Sequence, residues 1–522
     1  MLDPHRELFQ HFDWIASWVR AYKKDRRLCV AAVFDATGVK GFLPLVFENR
    51  ILRFAGYSVA DYNGLICDPE CAAQVLEVAL DALLRIDGWD RIVLDNVQAH
   101  SPLAASLGVL SSRIRRRLEV IRGIPCPALV LTGQKERILN GILAKSRRKV
   151  NALQRLGQVR FRHIEDTEEL KSHLPAFYRQ HINRWAVDGI RSRFMDKESL
   201  DFYEGLLARP HIRNHFRFSI LEVNDRPAAY LMGIEVNGKY SFYKPTFDID
   251  LWDHSPGLVL LFSLFQYLKT TEINEFDFGL GGEAYKYRFS NVIRQNLDIH
   301  IRRPGFKATV SRFGLLLKER VRNQPLVTPI WFKTTERLHR FLAKTSWSSI
   351  RRSILPSCET LWVLSPPQGN TQTGDLLSPR RAQLSDLAGL SRQYPEYFDR
   401  VRLQQARVRL QAGEIPYIVS FRGALRWLVW VRGTLSKEGA AIYDIWSPPG
   451  APAGEGLSGF PELLTVLASE HGLSGWKLHL DPHIAPVAIF RKVGFSRAAR
   501  LLRVRMFRSF SFTLKFKLGR RC

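Results

Sequence analysis

The stretch from Phe216 to Phe278 constrains the fold most. Three β-rich runs over 216–223, 226–236 and 239–246 are separated only by Asn224-Asp225 and Asn237-Gly238. Those pairs suit tight hairpin turns. An apolar helix over 256–269 and a strand Glu275-Phe276-Asp277-Phe278 follow. A meander that continues into a helix and one more strand must bury the helix on the sheet, which makes an α/β layer.

The same grammar recurs along the chain. Residues 9–22 have helical spacing, with Phe12, Ile15, Trp18 and Val19 on one face. The runs 28–34 and 41–47 flank the turn Asp35-Ala36-Thr37-Gly38, a hairpin signal, and 51–54 reads as a further strand. An amphipathic helix over 72–86 precedes a strand at 91–95. Around 113–122 the chain turns basic, and Pro125-Cys126-Pro127 is expected to break any regular element. Residues 134–156 read as helical and very basic, and 165–185 as one or two helices. After a polar linker at 365–378 comes a third α/β unit: helices over 383–412, strands over 417–431 and 440–446, a Gly/Pro loop at 448–459, then helix, strand and helix to Phe495. No repeat of 20–50 residues is present, so the repetition is one of similar α/β units in succession.

Composition narrows the partners. In 522 residues, 77 Lys and Arg face 50 Asp and Glu, a net charge of +27 that favours an anionic partner. The segment 301–353 carries 13 basic residues against Glu319 and Glu336, interleaved with Phe, Leu and Trp. Basic amphipathic helices of this kind lie on anionic membranes or bind partners, although a solvated connector has the same composition. The six cysteines form no CxxC pair and no zinc spacing, so no metal is expected. The N-terminal residues lack a signal-peptide layout, and no apolar run approaches the roughly 20 residues of a membrane span. The expectation is a soluble cytoplasmic protein, peripheral at most to the inner membrane face.

The residues 276–289, FDFGLGGEAYKYRF, run from a strand through a glycine-rich turn into a segment dense in titratable groups. Glycines allow close backbone approach to a ligand. Asp277, Glu283 and Tyr285 are the candidates for proton exchange, and Lys286 and Arg288 can neutralise phosphate. An ordinary bulge or hairpin loop would carry the same glycines. His181, Arg184 and Trp185 lie at a helix end, where His and Arg can face a cleft. Ser255 reads as the N-cap of the helix 256–269 with Pro256 at its first position, so that helix start would offer N–H groups to an anion such as a pyrophosphate.

Taken in order, SRRKVNALQRL (146–156), HINRW with Gly189, Ser192 and Phe194, SPGLVL (255–260) and FDFGLGGEAYKYRF resemble the CelD/FemAB-like acyltransferase family (BioF2-like acetyltransferase domain) of the GNAT superfamily. The resemblance is close over roughly 125–300. Residues 1–125, with DWIASW, GFLPLVF and the Ala60-Asp61-Tyr62 turn, are similar to that family's N-terminal half. Where the family often has Gly-Asp-Glu before Tyr-Lys, this chain has Gly281-Gly282-Glu283. Near the C-terminus, HIAPVAIFRKVGF (483–495) resembles a GNAT motif in degenerate form, with Phe490 at the position of the usual tyrosine.

The resemblance implies an α/β fold of tandem GNAT-like domains, with mixed, largely antiparallel sheets flanked by helices, plus a third GNAT-like domain. The divisions expected are a first half (1–125), an acetyltransferase domain (126–300), a basic helical connector (301–364), the linker (365–378), a degenerate domain (379–507) and a basic tail (508–522). It also implies acyl transfer from acetyl-CoA or another acyl-CoA to a sugar, polysaccharide or envelope precursor. On that reading Glu283, Asp277 and Tyr285 are catalytic, and His181, Arg184, Trp185 and Lys286 bind the acceptor. Ser255, Gly257, Leu258, Gly279 and Gly281 then hold the co-substrate. Aminoacyl transfer from tRNA of the FemAB type and a non-catalytic anion-binding scaffold are the alternatives.

Overall fold

Asn224 and Asp225 take left-handed backbone angles (φ 48° and 59°), as do Asn237 and Gly238 (52° and 72°), and both turns close antiparallel hairpins. The structure is a computed structural model that describes residues 7–24, 26–303 and further stretches between 357 and 517. The chain divides into two units, residues 1–184 with 191–332 and residues 185–190 with 333–522.

The first unit begins with α1 (Phe12–Ala21), β1 (Arg27–Asp35), β2 (Gly38–Glu48), β3 (Ile51–Phe54) and β4 (Ile66–Cys67). It continues with α2 (Ala72–Arg85), β5 (Arg91–Gln98), α3 (Pro102–Ser106), α4 (Ser112–Arg115) and β6 (Leu118–Val130). Then come α5 (Lys135–Leu143), α6 (Arg147–Gln154), β7 (Val159–Ile164), α7 (Thr167–Val187), α8 (Lys197–Leu207) and α9 (Pro210–Arg213). The last elements are β8 (Phe216–Val223), β9 (Arg226–Val236), β10 (Lys239–Phe247), α10 (Pro256–Leu268), β11 (Glu275–Asp277), α11 (Ala284–Phe289) and β12 (Val292–Arg302).

All these strands share one sheet in the order β1-β2-β3-β5-β12-β6-β11-β10-β9-β8-β7, with β4 against β2. The sheet is built twice over. In the first half β1, β2 and β3 form an antiparallel meander, α2 crosses over, and β5 returns parallel to β3. In the second half β8, β9, β10, α10 and β11 do the same. The closing strands are exchanged: β6 pairs with β11, β12 pairs with β5, and β6 and β12 pair with each other. The halves are therefore not units in succession, and the 125/126 boundary falls inside β6.

Burial explains the elements. Val75, Leu76, Ala79, Leu80, Leu83 and Leu84 put one face of α2 into the core, each large side chain contributing about 1.5–3 kcal/mol. α10 is apolar nearly all round and is correspondingly buried, with Val259, Leu260, Leu264, Phe265 and Leu268 in the core. In α1 the buried face is Trp14, Ser17 and Trp18; Phe12, expected on that face, is 76% exposed at the helix start. The stretch 134–156 is two helices, α5 and α6, rather than one.

The second unit holds a separate sheet of β13 (Ser357–Ser365), β14 (Leu377–Arg381), β15 (Glu414–Phe421), β16 (Ala424–Arg432), β17 (Ala440–Trp446), β18 (Trp476–Leu480), β19 (Ser496–Met506) and β20 (Phe510–Lys517). Here β15, β16 and β17 form an antiparallel meander and β18 lies parallel to β17, the same grammar a third time. Two expectations are corrected. The end of the 301–364 connector is the strand β13, and the tail beginning at 508 holds β20, paired with β19. Phe510, Phe512, Leu514 and Phe516 alternate with polar residues, a strand signal that the tail's basic charge concealed. Residues 304–356, the loop after Trp446 and the motif at 483–495 lie outside the described residues.

Candidate active site at the split between β10 and β11

The sheet opens between β10 and β11, where the titratable residues gather. β11 pairs with β6 and β10 only as far as Asp277, opposite Ala128 and Ser241. Just beyond, Pro127 and Pro125 have no N–H with which to extend the ladder. Their carbonyls still accept, from Phe278 N–H and Gly281 N–H, both at 3.0 Å. Far from breaking the chain's regularity, as expected from sequence, the Pro-Cys-Pro segment is part of β6. β10 bulges between Ser241 and Lys244 and runs on beside β9, while β11 turns away through Gly279 (φ 66°) and Gly281 (φ 124°). The parallel pair thus parts into a split. A Cβ on Gly279 would lie 2.6 Å from Asp61 Oδ2, so a larger residue there must push that carboxylate aside on a left-handed backbone.

The corresponding place in the first half is closed. The chain leaves β3 at Phe54, loops out, and returns at Asn63 to bridge β5 at Val97, with Asn63 N–H donating to Asn96 O at 3.0 Å. The loop 55–62 instead reaches the second half. Tyr62 donates to Asp277 Oδ1 at 2.8 Å, Tyr243 donates to Val59 O at 2.6 Å, and Asn296 donates to Asp61 O at 3.3 Å. In the sequence Ala60-Asp61-Tyr62 reads only as a turn, because nothing local reveals a contact across more than 200 residues.

Asp277 is fully enclosed. Its Oδ1 accepts from Tyr62 and from Gly279 N–H (2.8 Å), and the Lys239 ammonium, which also pairs with Glu7, lies 3.8 Å from Oδ2. Burial pushes its pKa up, with Lys239 opposing. Through these contacts Asp277, a candidate for proton exchange in the sequence, holds the turn. Asp61 is likewise raised by burial, opposed by Lys244 and Lys286, and burial lowers Lys244.

The other expected residues sort by place. Lys286 is buried, donates to Leu280 O at 2.6 Å and pairs with the half-exposed Glu283 at 3.0 Å. Its charge therefore braces the turn. Glu283 is left as the carboxylate at the surface of the site. Burial raises the Tyr285 phenol well above its ordinary pKa, so it stays protonated and able to donate. His181 is buried, with Nδ1 2.9 Å from Ser192 Oγ; burial, then Lys244 and Arg184, push its pKa down to about 3. A neutral His181 can meet an acceptor by hydrogen bonding rather than by charge. Arg184 lies over the rings of Phe247 and Trp252, 5.5 and 5.3 Å from their centroids. Trp185 lies in the last turn of α7.

At the start of α10, Ser255 occupies the cap position but in a left-handed conformation (φ 56°) without a capping bond; its hydroxyl accepts from Lys149 at 3.0 Å. Leu258 N–H is used within the chain, bonding Ser255 O at 3.0 Å, and Pro256 has no N–H. Gly257 remains as the early donor, and a Cβ on it would lie 3.1 Å from the Phe247 ring. The N–H groups of Gly279 and Gly281 also point inward, to Asp277 and Pro125. An anion at this helix start would meet Gly257 and the Lys149 ammonium. Nothing in the sequence separates Lys149 from the basic run that contains it. Among the described residues no group of three or more His, Cys, Asp or Glu is placed to hold a metal ion, and no helix is long and apolar enough to cross a membrane.

Residues 142–287 match the family described as acetyltransferase (GNAT) domain. That span contains α6, the β8–β10 meander, α10, β11 and the glycine turn, so the split lies inside the segment that matches this domain. Solved structures with similar folds include FemX (11% identity, 57% of this chain and 93% of that one, TM-score 0.42). L-PGS from Bacillus licheniformis is similar at 11% identity, over 61% of this chain and 96% of that one, with TM-score 0.37. A tandem GNAT protein from the clavulanic acid biosynthesis pathway is similar at 12% identity, over 56% and 89%, with TM-score 0.32. No curated protein matches the sequence.

Proposed function

We propose that the protein is an acyl-CoA-dependent N- or O-acyltransferase, most simply using acetyl-CoA, with a sugar, polysaccharide precursor or comparable envelope component as acceptor. One observation carries the reading: a parallel strand pair that parts beside a glycine turn, inside the segment matching an acetyltransferase domain. The residues fit such a co-substrate, since Gly257 and Lys149 offer an N–H and a cation at the start of α10. When bound, the thioester supplies an activated acyl group that an amine or hydroxyl attacks directly. Asp277, Tyr62 and Lys286 hold the turn in place, so that binding does not bear the entropy of ordering it. Glu283 accepts the acceptor's proton, directly or through water, and Tyr285 donates one to the departing thiolate. Arg184 orients an electron-rich or anionic acceptor. A cytoplasmic location, at the inner membrane face, belongs to the same proposal.

A second reading, aminoacyl transfer from tRNA, is favoured by the exposed Lys145, Arg147, Arg148 and Arg155 around α6. Thermal-shift measurements with acetyl-CoA, free CoA and total tRNA separate the two. Stabilisation by acetyl-CoA and CoA supports the first reading. Stabilisation by tRNA alone replaces it with the second.

A further inference from the structure

The two halves of the large sheet end differently. In the second half β7 covers the outer edge of β8, antiparallel over its whole length. The equivalent strand of the first half, β1, is the end of the sheet, and no described strand covers it. Its side chains alternate: Cys29, Ala31 and Val33 pack towards α2, while Leu28 (49% exposed), Val30 (44%), Ala32 and Phe34 (64%) form an apolar row open to solvent. A nine-residue edge without proline and with charge only at its ends is a template for another strand, and such edges are normally blunted.

We propose that β1 pairs antiparallel with β1 of a second copy of this chain, joining two sheets across a twofold axis at Ala31. The strand is self-complementary in that register. Arg27 falls opposite Asp35 of the second copy, Leu28 opposite Phe34, and Val30 opposite Ala32, all by the arithmetic of an antiparallel pair centred on residue 31. The charged pair occurs twice by symmetry, and the apolar row of each copy continues that of the other. Shifting the register by two residues loses the Arg27–Asp35 pairing. The second copy's strand takes the place that β7 takes beside β8.

Sedimentation velocity of the full chain from low to high micromolar concentration tests this. The wild type should show a monomer–dimer equilibrium. Val30→Lys, on the exposed row, and Arg27→Asp, which sets a carboxylate against Asp35 at both ends of the pair, should each weaken the dimer about tenfold or more. Combining Arg27→Asp with Asp35→Arg restores opposite charges and should recover it. Melting temperatures confirm that each variant is folded, which matters most for Asp35 because it bonds Thr37 and Lys40 in the turn. A wild type that stays monomeric, a dimer indifferent to both single variants, or a folded double variant that fails to recover overturns the proposal.

Discussion

Lys286 sits in the helix that follows the glycine turn, and its ammonium is held inside the chain. Its place beside the glycine turn suggests a cation for a ligand. Its ammonium is instead engaged by Leu280 O and Glu283. Lys286→Ala would leave that part-buried carbonyl bare and the turn unbraced, whereas Glu283→Gln keeps the shape and removes the proton acceptor. Each should lower acyl transfer at least about tenfold in steady-state assays. Loss in the first should appear as weakened binding together with turnover, and in the second as turnover. Asp95 offers a test of the electrostatics away from the site. Burial raises its carboxyl to about 7, opposed by Arg53. A folded pKa above the ordinary 3.8 means stabilisation that is complete at acid pH and is lost as pH rises through about 7. The melting temperature of Asp95→Asn should therefore gain on that of the wild type from pH 4 to pH 7 and hold level above. A constant difference across that range would show that Asp95 is solvated like a surface carboxylate.

Among the elements, the loop 55–62 carries the coupling between the halves. Tyr62→Phe removes one of two donors to Asp277 Oδ1 and leaves Gly279 N–H in place. Its cost to stability should be about 1 kcal/mol by denaturant unfolding, with turnover falling further than stability alone explains. Equal turnover with the lowered stability would make Tyr62 a packing residue only. The elements legible in the sequence are those whose evidence is local: the Asn turns, the amphipathic α2, the apolar α10 and the glycine turn after β11. The rest depend on distant partners. Pro125 and Pro127 look like breakers until β11 ends beside them, and the exchange of β6 and β12 leaves no trace in either strand's own residues. Lys149 and Lys239 are two among many basic residues until Ser255 and Asp277 are placed next to them.

At the scale of the whole molecule, one strand grammar appears three times, and its copies have different fates. In the first half Asn63 stitches the pair shut. In the second the bulge in β10 and the turn at Gly279 keep it parted. The proposed co-substrate site therefore falls in the second half. Calorimetric titration of the full chain with acetyl-CoA tests that most directly, alongside Gly279→Ala. The added methyl must displace Asp61 and strain a left-handed backbone. One acetyl-CoA should bind per chain, with affinity reduced at least about tenfold in the variant. No binding by the wild type, or binding that Gly279→Ala leaves unchanged, would contradict the assignment.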